Sequence, residues 1–402
     1  MNPADLPPLK LAGRLLKPIV QGGMGVGVSA HRLAGTVAAN NAVGTLASVD
    51  LRRHHPDLMA RTTGAGSGAQ AKAAINAANL EALDREIGAA RRLAAGAGLL
   101  AVNVMRAVSE YAAYVRQACA SGIDAIVVGA GLPLDLPELT AEHPKVALVP
   151  ILSDARGIAL VLKKWERKGR LPDAIVIEHP KYAGGHLGAA RIEDLDDPRF
   201  AFEQVIPEAR ALLRSMGAED RVPLIPAGGI GTPQRVRELI SLGASAVQIG
   251  TAFAVTEEGD AHPEFKRVLA GARPQDIVEF ISVAGLPARA VLTPWLENYL
   301  RLAAKLQAKA AARGPKRCTM AFDCLAQCGL RDGIARIGQF CIDHQLAAAL
   351  RGDVASGLFF RGAGRLPFGS QIRPVRELIA HLLGETEGQP GAAAAVEPAL
   401  AA

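Results

Sequence analysis

Short apolar runs recur along the first 250 positions, at 18–21, 43–47, 99–103, 124–128, 146–151, 174–178, 223–226 and 246–249. Amphipathic stretches of helical length separate most of them. Runs this short and this rich in Val, Ile and Leu read as strands buried on both faces, and their alternation with helices reads as parallel βαβ crossovers. Eight such repeats predict an α/β protein built on a closed (β/α)8 TIM barrel. A doubly wound sheet would require a Gly-x-Gly-x-x-Gly turn leading from a strand into a helix, and that spacing does not occur.

The repeat stops near residue 255. The predicted organisation is a barrel over 1–255, then an added, mainly helical, cysteine-bearing C-terminal subdomain over 256–385, with helical patterning at 302–312 and 375–383. The stretch 386–402 is Ala, Gly, Glu and Pro and reads as a disordered tail. Between the second and third strands, residues 50–98 carry Gly64-Ala65-Gly66-Ser67-Gly68 ahead of an Ala-rich helix, which reads as a lid-like loop.

Composition fits this picture. At 402 residues, half of them hydrophobic, the chain can build one domain of roughly 250 residues and a smaller addition. Lys10, Arg14 and Lys17 interrupt the N-terminal apolar pieces, so no signal-peptide core forms, and no run approaches the ~18 apolar residues of a spanning helix. A soluble, cytoplasmic protein is expected, without a membrane partner. The net charge is +6, but basic residues are interleaved with acidic ones, as in Lys163-Lys164-Trp165-Glu166-Arg167-Lys168. That pattern is a solvated helix face, and with no basic stripe bearing stacking aromatics no nucleic-acid partner is expected.

In a barrel, chemistry gathers where strands end and βα loops begin. The strongest local signal there is Pro223-Leu-Ile-Pro-Ala-Gly-Gly-Ile230 followed by Gly243-Ala-Ser-Ala-Val-Gln-Ile-Gly-Thr-Ala-Phe253. Two consecutive last strands each end in glycine. Backbone without side chains at Gly228, Gly229 and Gly250 lets amide N–H groups close around a phosphate, and Thr251 adds a hydroxyl. Such glycines can also serve only as tight turns. Their pairing after strands seven and eight, where barrels commonly bind phosphate, favours the phosphate reading.

Taken with Gln21-Gly22-Gly23-Met24-Gly25, Val102-Asn103-Val104 and Ala183-Gly184-Gly185-His186-Leu187-Gly188, these motifs resemble the series of the nitronate monooxygenase (2-nitropropane dioxygenase) family, in family order over residues 18–266. The wider superfamily includes FMN-dependent enoyl-acyl-carrier-protein reductases and NADH:quinone reductases, so the resemblance implies FMN more firmly than a substrate. It implies that Gly23 and Met24 lie against the isoalloxazine, that Asn103 hydrogen-bonds it, and that Gly228, Gly229, Gly250 and Thr251 hold its phosphate. Gly22, Glu178, Gly185 and Ala227 complete the implied cofactor set. His186 would be the catalytic histidine.

The residues themselves support a role for His186. A histidine between glycines, on the loop after the sixth strand, would point into the barrel mouth and titrate near working pH. It could take an α-proton from a nitroalkane or, when charged, hold an anionic nitronate. The first functional expectation is an FMN-dependent nitronate monooxygenase using O2 on a small-molecule substrate; the alternative is an NAD(P)H-dependent flavin reductase of a quinone or enoyl thioester. A homo-oligomer is compatible with either.

Four of five cysteines cluster as Cys318-x5-Cys324-x3-Cys328-x12-Cys341, while Cys119 stands alone. An even set in one stretch of a cytoplasmic chain argues for thiolate ligation, of an iron–sulfur cluster or zinc, more than for disulfides, but packing as small buried hydrophobes beside Leu325, Phe340 and Ile342 is the favoured reading.

Overall fold

The structure is a computed structural model that describes residues 6–385 apart from positions 65, 67, 319 and 321. The predicted tail at 386–402 lies outside the described residues.

Eight parallel strands close a barrel: β1 (Ile19–Gln21), β2 (Val43–Ala47), β3 (Leu99–Met105), β4 (Ala125–Gly129), β5 (Ala147–Leu152), β6 (Ile175–Glu178), β7 (Leu224–Ala227) and β8 (Val247–Ile249). They follow one another around the ring, and β8 closes onto β1 through Val247–Ile19, Gln248–Val20 and Ile249–Gln21. Each predicted strand lies within two residues of an observed one. The pairing of β1 with β2 is a single register position, Val20 to Val43. The Gln21 side chain reinforces it, its Oε1 accepting from Thr45 N–H at 2.8 Å and its Nε2 donating to the Thr45 carbonyl at 3.1 Å.

Side chains alternate across each strand. Inward positions such as Val20, Leu99, Ala101, Val127, Val149 and Val176 fill the barrel, together with Leu9, Leu11 and Leu16 of an N-terminal hairpin. Outward positions such as Leu100, Val102, Ile126 and Ile175 join the shell of helices. This alternation has a functional consequence. With residues 99 and 101 of β3 inward, Asn103 is inward too; with 176 of β6 inward, so is Glu178.

Most of 50–98 is regular, while Ala65 and Ser67 of the glycine-rich run that suggested a lid lie outside the described residues. The described residues there form a short 3-10 turn at Leu51–His54 and helices at Pro56–Thr62 and Ala69–Ala94. Buried Asp50 accepts from Arg52 Nε at 2.8 Å and pairs with Arg53, which reaches Asp343 at 2.8 Å. A buried ion network of this kind fixes the segment, because separating its members would leave unpaired charge in the interior.

Beyond β8 the chain is helical at Pro263–Gly271, Pro294–Arg313, Ile342–Leu350 and Val375–Leu383. The sequence reading missed an antiparallel hairpin, β9 (Ile277–Ile281) with β10 (Pro287–Val291), and β10 pairs with the two-residue strand Gly185–His186. The last helix returns to the barrel, where Val375, Leu378 and Leu382 enter the shell core. Among the described residues, no helix is long and apolar enough to cross a membrane.

Candidate functional site

A cavity of about 730 Å³ opens at the C-terminal ends of the strands. Gly22, Gly23, Met24, Asn103, Glu178 and Gly185 line it, as do His186, Ala227, Gly228, Gly229, Gly250 and Thr251. Every cofactor or catalytic residue singled out in the sequence therefore faces one space.

One end of the cavity is backbone. Gly228 and Gly229 take φ of +113° and +70°, the left-handed region that glycine occupies without strain, and a Cβ on Gly229 would stand 2.9 Å from Tyr182 Cγ. A Cβ on Gly250 would meet only Met24 Sδ, at 3.9 Å, so this position is open. The Thr251 hydroxyl oxygen accepts from Gly362 N–H at 3.1 Å, which leaves its own proton free to donate.

At the flavin-facing positions implied by the motifs, a Cβ on Gly23 would run into the Asn103 side chain. Only glycine lets the loop after β1 pass so close. Met24 N–H donates to Ser29 Oγ at 2.9 Å, which holds the turn.

The neighbouring wall carries the titratable groups, Glu178 standing beside Ala227 in the strand register. His186 Nε2 lies 3.0 Å from Ser282 Oγ on the β9–β10 hairpin, and Ser282 Oγ also accepts from Ala284 N–H at 3.2 Å. With one lone pair so engaged, the serine hydroxyl can donate to Nε2, an assignment that puts the proton of the neutral ring on Nδ1. Phe360 packs beside the imidazole, centroids 5.9 Å apart. Burial pushes the His186 pKa down to about 4, so the ring is neutral at working pH. This corrects the expectation of titration near neutrality and removes the charged-histidine role. Glu178 is shifted the opposite way, its pKa raised to about 7 by burial alone. A Cβ on Gly188 would come within 3.3 Å of Glu178 Oε2.

The model of a family described as nitronate monooxygenase matches residues 10–385. The chain belongs to the nitronate monooxygenase family. It is 30% identical over 162 residues to a probable nitronate monooxygenase of Bacillus subtilis, a match that covers 40% of this chain and 43% of that relative. The similarity to this curated relative thus spans less than half its length. In fold it is similar to FabK from Thermotoga maritima, with TM-score 0.63, 21% identity and 92% of each chain covered. It is similar also to nitroalkane oxidase from Streptomyces ansochromogenes, with TM-score 0.60, 20% identity, 95% of this chain and 96% of that one covered.

Several residues around this family site escaped the sequence reading. Gly362, Gly364 and Arg365 form part of a cover over the glycine end, where a Cβ on Gly364 would sit 3.2 Å from Gly229 Cα. The run Arg361-Gly-Ala-Gly-Arg365 was the signal for it. Arg289, only 2% exposed, pairs with Glu279 Oε1 at 2.7 Å and donates to the Pro180 carbonyl at 3.2 Å and to the Ala183 carbonyl. It thereby fixes the loop that carries His186. Of the four clustered cysteines only Cys324 lines the cavity. Among the described residues, no three His, Cys, Asp or Glu side chains are grouped tightly enough to hold a single metal ion.

Proposed function

We propose that this chain is an oxidoreductase that binds FMN in the barrel-mouth cavity and oxidises alkyl nitronates with O2. The observation that carries the reading is the joining, in one cavity, of an open glycine-lined end and a half-buried imidazole held neutral by desolvation. The cavity suits the cofactor. Positive-φ backbone at Gly228 and Gly229, the space before Gly250 and the free proton of Thr251 fit a phosphate, with Arg365 at the rim to balance its charge. Gly22, Gly23, Met24, Asn103, Gly185 and Ala227 then border the isoalloxazine, and Glu178 is the acidic partner within reach.

When bound, the flavin supplies the redox chemistry, taking electrons from the substrate and passing them to O2. The protein's residues do the rest. His186, unprotonated well below neutral pH, offers its Nδ1–H to a nitro oxygen, while Ser282, donating to Nε2, sets the ring orientation. Glu178, neutral below about pH 7, avoids placing a fixed negative charge beside an anionic nitronate.

A second reading draws on the apolar lining at Phe265, Leu269, Leu346 and Leu358, which a short nitronate does not need. That lining favours a quinone or an enoyl thioester, with NAD(P)H as the electron donor. Anaerobic mixing of the purified protein with NADH, NADPH and a nitronate, followed by flavin absorbance, separates the two. Bleaching by nitronate supports the monooxygenase. Rapid bleaching by a nicotinamide with no response to nitronate replaces it with the reductase.

A further inference from the structure

Four of the five cysteines fall within residues 318–341, none paired in a disulfide, and all four are partly exposed. The fold gathers them from separate turns. Cys324 is pinned from two sides, its N–H donating to the Phe322 carbonyl at 2.7 Å and its carbonyl accepting from Ser109 N–H at 3.4 Å, in the loop after β3. Next to it Leu325 bridges Val108. Cys328 and Cys341 stand immediately before the helices Gly329–Asp332 and Ile342–Leu350. Cys318 Sγ lies 3.6 Å from the same Phe322 carbonyl.

As a result, the Cys324 thiol is within electrostatic reach of Cys318, Cys328 and Cys341, and Cys341 is within reach of Cys318 and Cys328. Packing alone does not require four thiols to gather so closely. Cys119, the one cysteine outside the group, shows the packing case: it is 3% exposed inside a helix among apolar neighbours. The four clustered cysteines instead each keep some exposed surface, and Cys324 reaches the cavity that holds His186 and Asn103. Cys324 and Cys328 pack against the apolar cluster of Phe280, Phe340 and Leu325. Arg331 stands beside Cys328, a cation positioned to offset thiolate charge.

We infer that Cys318, Cys324, Cys328 and Cys341 ligate an iron–sulfur cluster in the wall of the barrel-mouth cavity. Four cysteine thiolates are the usual ligand set of such clusters. A single tetrahedral zinc, with bonds of about 2.3 Å, draws its sulfurs to within ~4 Å of one another, whereas a cluster carries iron and sulfide between them. The x5 and x3 spacings also depart from the paired cysteines of structural zinc sites. The preference for iron over zinc rests further on the redox reading of the adjoining cavity.

The test is metal and sulfide analysis of protein purified without oxygen and reconstituted with ferrous iron and sulfide, with flavin quantified separately after denaturation. Iron and acid-labile sulfide should appear in equal amounts, at least about two of each per chain. Cys328→Ser and Cys341→Ser should each lower both at least ~fivefold, while Cys119→Ser leaves them unchanged. Circular dichroism of each variant guards against misfolding, and Cys318→Ala gives a second probe at the outermost ligand. Less than about one iron per chain, zinc in its place, or full iron retained in Cys341→Ser would overturn the assignment. Because flavin is measured independently, iron without FMN refutes the proposed function alone, and FMN without iron refutes the cluster alone.

Discussion

Glu178→Gln should make the protein more stable at alkaline pH, by an amount the structure fixes. Burial raises the Glu178 pKa from 4.5 to about 7. A carboxyl whose folded pKa is raised supports the fold fully below its unfolded pKa and loses that support as pH rises through the folded value. The shift of roughly 2.5 units corresponds to about 3.4 kcal/mol at most. About 0.8 kcal/mol is already lost near pH 5, so the stability of the glutamine variant relative to the parent should improve by roughly 2.5 kcal/mol between about pH 5 and 8.5. Asp343, raised to about 7, and His186, lowered to about 4, are present in both proteins and cancel in the difference. Urea unfolding at both pH values, compared at equal flavin occupancy, measures it. A difference that is flat with pH, or that shrinks as pH rises, would refute the picture of a buried carboxyl held neutral.

Gly250→Leu should keep the fold, since only Met24 Sδ lies near a Cβ there, and lose at least ~tenfold in bound flavin; normal flavin content would displace the phosphate from this position. His186→Ala should retain flavin and lose at least ~tenfold in turnover, and the wild-type rate should show no histidine-dependent fall until pH approaches about 4. An inflection near pH 6.5 that disappears in the variant would contradict the desolvated, neutral imidazole. Arg289→Met should destabilise by ~3 kcal/mol or more, because the carbonyls of Pro180 and Ala183 lose their buried donor; an unchanged denaturation midpoint would show that the loop holds itself.

The barrel was legible because parallel strands buried on both faces leave short apolar runs, a local signal that each of β1 to β8 carries. The glycine end and His186 were legible for the same reason, as compact motifs within a few residues. What the sequence hid is long-range. Ser282, the partner of His186, lies 96 residues away on a hairpin whose strands alternate only over 277–281 and 287–291, embedded in helical surroundings. The start of the segment at 50–98 gave no sign of being fixed because the acid that secures Arg53 is Asp343, 290 residues on. Ser282 bears, too, on chemistry: glycines flanking His186 suggested an open, titrating loop, whereas pairing of Gly185–His186 with β10 desolvates the ring and lowers its pKa.

The central claim, that the barrel mouth holds FMN by its phosphate, is tested most directly by releasing and identifying the chromophore of the purified protein. Acid denaturation followed by chromatography and mass measurement of the supernatant should give FMN at about one per chain in the parent, with at least a ~tenfold loss in Gly250→Leu. FAD in its place, or a colourless protein that takes up no FMN on reconstitution, would contradict the account.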